Sequence, residues 1–137
     1  MYRILAAIGD DEERALEQAR TITGLPGVGP EVSVTLFHDF TDNPEGASVH
    51  QVAAVRRAAE HLEDEGVEVG YAESSGAPAE AILETAADID ADLLCLAPRG
   101  RSPTGKALFG SVTQQVLLEA TRPALVLGAG REKPGSD

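Results

Sequence analysis

The chain has 137 residues, 42% of them hydrophobic, and a formal net charge of −12 from 23 acidic against 11 basic side chains. That length and apolar share suit a single folded domain with a normal core, not a disordered polymer. The acidic balance leaves no broad basic face to neutralise phosphates, which argues against a nucleic-acid partner. No apolar run approaches the roughly 18–20 residues of a membrane span.

The opening MYRILAAIGDDEE carries one basic residue and a short apolar run that turns acidic at once, unlike a signal peptide. A cytoplasmic protein is expected. Arg3–Ile8 has strand length. Gly9 and the acidic cluster Asp10–Glu13 follow, with Asp10 or Asp11 placed to cap a helix and the carboxylates suited to its N-terminal dipole. Ala15, Leu16, Ala19 and Ile22 recur at helical spacing up to Gly24. Leu25–Pro30 is a loop by composition, and Val32–His38 a second strand. Asn43-Pro44-Glu45-Gly46 marks a turn. Ser48 reads as the N-cap of a second helix, with Val52, Val55, Ala59 and Leu62 inward, Arg56, Arg57, Glu60 and Glu63 outward, and Gly66 as its stop.

Val67, Val69 and Tyr71 alternate with polar residues, so a third strand is half-exposed and belongs at an edge. Pro78 opens a third helix lined by Ala79, Ile82, Leu83 and Ala86. Asp92–Leu96 is the most apolar strand. The one cysteine, Cys95, lies in it, excludes an internal disulfide and reads as a small buried hydrophobe. A fourth helix carries Val112, Val116 and Leu117 to about Ala120, and Ala124–Leu127 is the last strand. Arg131–Asp137 reads as a disordered tail, leaving one domain over residues 1–130. Five strands alternating with four helices predict an α/β fold, a parallel sheet covered on both faces. Ligands of such sheets sit beyond the carboxyl ends of the strands, at the switch point.

The segment Leu93–Val112, LLCLAPRGRSPTGKALFGSV, combines strand, glycine loop and helix start, an arrangement that gathers backbone amides and a helix dipole on one point. Gly100–Lys106 has the glycine and lysine spacing of a P-loop. Ala107 then stands where that motif needs Ser or Thr for magnesium, and the loop follows the fourth strand instead of the first. A P-loop is therefore rejected. Arg99, Arg101 and Lys106 suit either phosphate or neighbouring carboxylates. Ser111 lacks a G-x-S-x-G setting and reads as a helix N-cap or phosphate ligand, not a nucleophile. His38, His50 and His61 lack metal-ligand spacing. His38, at a strand end near the crevice, reads as structural, and the other two as lying on helix surfaces. No metal site and no catalytic residue is assigned.

A different pairing of glycines is more telling. Gly100, nine residues, then Gly110-Ser111-Val112 resembles the G-x-x-G, nine residues, G-[ST] signature of the universal stress protein family. RILAAIGDDEE, VTLFH, GAPAEAIL and RPALVL resemble further segments of that family in the right order. The resemblance implies a doubly wound five-stranded parallel sheet of order 3-2-1-4-5, of the adenine nucleotide alpha hydrolase-like type. It also implies a homodimer through Ala124–Leu127, a role in stress response and, in some members, bound ATP. Gly100, Gly110, Ser111 and Val112 match the phosphate half of that nucleotide site, with Arg99 beside it. The nucleoside half departs: Gly9 replaces an aspartate, Ala97 replaces the first glycine, and Asp39 replaces a small apolar residue. Asp39 would either repel a nucleotide or bind a base amine. Each lost hydrogen bond costs about 1–3 kcal/mol, so two or three carry a micromolar site to about millimolar. The expectation is a phosphate or ATP-type ligand held weakly or not at all. An interaction protein with a vestigial site is the second reading, and a weak ATPase the third. Only two lysines and three Phe among many carboxylates also resemble the proteomes of salt-loving archaea.

Overall fold

The computed structural model describes residues 1–40, 48–97, 100–101, 107–108 and 110–128. The turn at residues 43–46, Arg99, Lys106 and the tail at 131–137 lie outside the described residues, as does the side chain of Arg101. Strands β1 (Tyr2–Ala7), β2 (Val32–Asp39), β3 (Glu68–Ser74), β4 (Leu93–Leu96) and β7 (Ala124–Val126) form one sheet in the order β3-β2-β1-β4-β7. Every pairing in it is parallel. This is the expected doubly wound sheet, with its switch point between β1 and β4. A short antiparallel ribbon, β5 (Gly100–Arg101) with β6 (Ala107–Leu108), was not foreseen in the glycine loop.

Alternation along the strands divides the core. Ile4, Ala6, Ile8, Val34 and Leu36 face helices α1 (Glu12–Thr23) and α2 (Ala53–Asp64). Leu5, Phe37, Leu94 and Leu96 face α3 (Pro78–Asp88) and α4 (Ser111–Glu119). Alanines 15, 19, 54, 58 and 59 are buried on the first face, and such small side chains let α1 and α2 approach closely.

The ends of the elements follow local chemistry. Asp11 caps α1, its carboxylate accepting from the amides of Glu13 and Arg14. After α2, Gly66 takes φ +80, a conformation open to glycine. Its amide donates to Glu63 and that of Val67 to Leu62 at 3.0 Å each, the Schellman pattern.

Four local expectations need correction. Ser48 does not cap α2. It starts a 3-10 turn, Val49–Gln51, its amide donating to Gln51 Oε1 at 2.8 Å, and extended Val52 precedes α2. Asp92 lies outside β4, because its carboxylate accepts from the Arg3 amide at 2.9 Å. His61 is half-buried, with Nε2 2.9 Å from Thr23 Oγ1 on α1. His50 belongs to the 3-10 turn, its ring tilted 55° to that of Tyr71 with centroids 4.2 Å apart.

Candidate functional site

The crevice at the switch point is bounded by the chain after β1 (Ile8–Asp11), the residue after β4 (Ala97), the start of α4 and the chain after β7. Gly110 is the N-cap of α4, with φ −59, and its carbonyl accepts from Gln114 at 3.1 Å. Ser111 is the first helical residue and not the cap. As a glycine, this N-cap has no side chain to accept from the first-turn amides, and among the described residues no side chain is shown capping them, which leaves them the donor character of a helix start. A Cβ built on Gly110 meets nothing within 4 Å. Backbone strain does not demand glycine there, and among the described residues nothing packs against that position. Ser111 is exposed, while Val112 packs against the α3–α4 side of the core.

On the other wall, Gly9 also faces open space, with nothing within 4 Å of a built Cβ. Ala97 packs its methyl against the α1–α2 core. Asp39 is committed locally. Its Oδ1 accepts from Ser74 Oγ at 2.6 Å and from the Gly76 amide at 3.1 Å, closing the turn between β3 and α3. The topology places Gly9, Ala97 and the start of α4 at the carboxyl edge of the sheet, where β1 and β4 part. Asp39 is tied to the β3 side.

Three contributors escaped the sequence reading. Gln18 is buried on α1, and its Nε2 donates to the carbonyls of Ala7 at 3.0 Å and Cys95 at 3.4 Å, across the split between β1 and β4. A polar residue inside the Ala15–Ala19–Ile22 stripe was the available signal. Arg14 reaches from the first turn of α1 to the Gly128 carbonyl at 2.5 Å and to Glu17 at 2.8 Å, with its side chain 12% exposed. No pattern marks such a long-range contact. The third is the pairing of His38 with Asp10, 3.6 Å apart. Among the described residues no group of three His, Cys, Asp or Glu side chains is placed to hold a metal ion. No helix among them is long and apolar enough to cross a membrane.

Sheet order and two-sided helix cover define a doubly wound α/β protein, with α4 starting at the switch point. The sequence pattern of the universal stress protein family matches residues 1–128, and the chain belongs to that family. A universal stress protein of Mycolicibacterium smegmatis is 42% identical over 80 residues, 58% of this chain and 57% of that protein. The match thus spans little more than half of that relative. Among solved structures, a universal stress protein from Archaeoglobus fulgidus superposes with TM-score 0.71 at 27% identity, covering 92% of this chain and 98% of that one. A universal stress protein of the same organism in complex with dAMP gives TM-score 0.66 at 22% identity, covering 92% and 97%.

Proposed function

We propose that the crevice binds a small phosphate-bearing ligand of the adenine-nucleotide type, and that the protein is a binding module, not an enzyme. The observation that carries this reading is the start of α4, whose N-cap is a glycine with no side chain of its own to occupy the first-turn amides and with no described atom within 4 Å of where a Cβ would sit. Such a helix start favours a phosphate through directed N–H groups and the helix dipole. The dAMP bound to a relative of the same fold is consistent with that ligand class. On the nucleoside side, Gly9 offers no carboxylate, and Asp39 Oδ1 is already engaged by Ser74 and Gly76. ATP binding is therefore weak, in the region of millimolar, by about 1–3 kcal/mol for each missing hydrogen bond.

Calorimetry with ATP in high salt tests both parts. Weak binding that disappears in Gly110→Ala, where the added methyl occupies the approach to the amides, supports the reading. Low-micromolar affinity overturns the weakened nucleoside half. Steady ATP turnover abolished by Ser111→Ala overturns the binding-module reading in favour of an ATPase. Absence of any phosphate affinity leaves a partner-binding protein of the same fold.

A further inference from the structure

His38 is buried, titratable and unused by the reading above. It lies at the carboxyl end of β2, 5% exposed, with Nδ1 2.7 Å from the Ile8 carbonyl. A carbonyl only accepts, so Nδ1 carries the hydrogen and the neutral ring presents its lone pair at Nε2. Nε2 faces Asp10 Oδ1 at 3.6 Å, and the Asp10 side chain is 96% exposed. While the ring is neutral, two acceptors face each other and no hydrogen bond forms. A second proton on Nε2 turns the pair into a charge-assisted donor and acceptor.

The other charged neighbours are occupied elsewhere. Glu73, opposite His38 in the β2–β3 register, accepts from the Val49 amide at 3.1 Å. Asp39, next along β2, accepts from Ser74 and Gly76. Phe40 meets the ring edge-on, with centroids 4.7 Å apart. Among the described residues Asp10 is thus the carboxylate placed to respond to the Nε2 proton. It adjoins Gly9 on the β1 wall of the crevice, so the charge state of the ring reaches the ligand side.

We propose that His38 and Asp10 form a proton-operated latch on the crevice wall: protonated His38 draws in Asp10, fixes the Gly9–Asp10 loop and adds positive charge, so anionic ligands bind more tightly in acid. The ligand half rests on the phosphate-binding reading, whereas the latch itself does not.

Ring and amide NMR of the full chain, without ligand, reads the latch directly. In wild type the Gly9 and Asp10 amide signals move together with the His38 ring signal, and Asp10→Asn uncouples them while leaving the His50 and His61 signals as they are. Gly9 and Asp10 amides that ignore the His38 ring in wild type, or follow it equally in Asp10→Asn, overturn the latch. The ligand arm uses ATP as probe, by calorimetry at fixed ionic strength between about pH 5.5 and about pH 8. ATP's own titration is common to all variants, so the comparison isolates the protein. Wild type gains affinity several-fold more toward acid than Asp10→Asn. It also outgains His38→Asn, which keeps a donor for the Ile8 carbonyl but does not titrate. Equal profiles overturn the control of ligand by the latch. Coupled ring and amide signals with no ATP binding at any pH remove the phosphate reading, and the ligand half with it, while the latch stands.

Discussion

Cys95 is fully buried within β4, where burial pushes its thiol up to about 11, opposed in part by the Gln18 amide. An unfolded thiol titrates near about 8.5. Between those values the unfolded chain gives up its proton while the folded chain keeps it. Stability from this group is therefore whole below about pH 8.5 and falls as pH rises toward 11, by about 3 kcal/mol in all. Denaturant unfolding of wild type and Cys95→Ala across that interval checks it: wild type loses more stability, and equal losses refute the burial argument. At the same scale, composition placed Cys95 correctly inside, because an apolar strand needs no knowledge of partners. Asp39 was less legible. Sequence left it between repelling a nucleotide and binding a base, whereas the structure gives Oδ1 to Ser74 and Gly76. That depends on how β2 and β3 end beside each other, which periodicity does not carry.

Among elements, α1 organises the crevice. Asp11 starts it, and Gln18 holds the carboxyl ends of β1 and β4 at the point where the sheet reverses direction. Replacing Gln18 by Met keeps volume and removes the donors, leaving the carbonyls of Ala7 and Cys95 without the Gln18 amide. Leaving a buried acceptor without its donor costs about 1–3 kcal/mol. Gln18→Ala adds a cavity and costs more. Urea midpoints rank wild type above Gln18→Met above Gln18→Ala, and a Met variant as stable as wild type shows that the amide only fills space. The strands and helices themselves were readable from apolar period and from Gly24, Gly66 and Pro78. What failed were starts set by side-chain competition. Ser48 and Gln51 have capping-box chemistry but serve a 3-10 turn. Asp92 bonds to Arg3 before β4 begins. His61 looked exposed from its own helix, yet α1 covers it.

For the whole molecule, the open side of β7 is the edge that bears on assembly. β7 is an edge strand whose three residues are half-buried, paired to β4 on one side only. Near it Leu117 and Leu118 on α4 are 42% and 86% exposed. At the amino-terminal ends of the strands a cavity of about 550 Å³ is lined by Met1, Tyr2, Leu25, Leu93 and Leu125, among others. An apolar edge flanked by apolar surface is a pairing hazard unless covered. A second copy meeting it across a two-fold axis covers both sides at once, joining the β7 edges and bringing the two α4 helices together. The homodimer is our proposal from these features, and charge repulsion between two copies of an acidic chain makes it salt-dependent. Light scattering in high salt gives twice the chain mass, and lowering the salt shifts the population toward monomer. Val126→Lys on β7 and Leu118→Glu on α4 each raise the monomer fraction without changing the circular dichroism of the fold. A wild-type monomer at high salt overturns the dimer. A dimer indifferent to both substitutions places the contact on another face and leaves the β7 edge to a different partner.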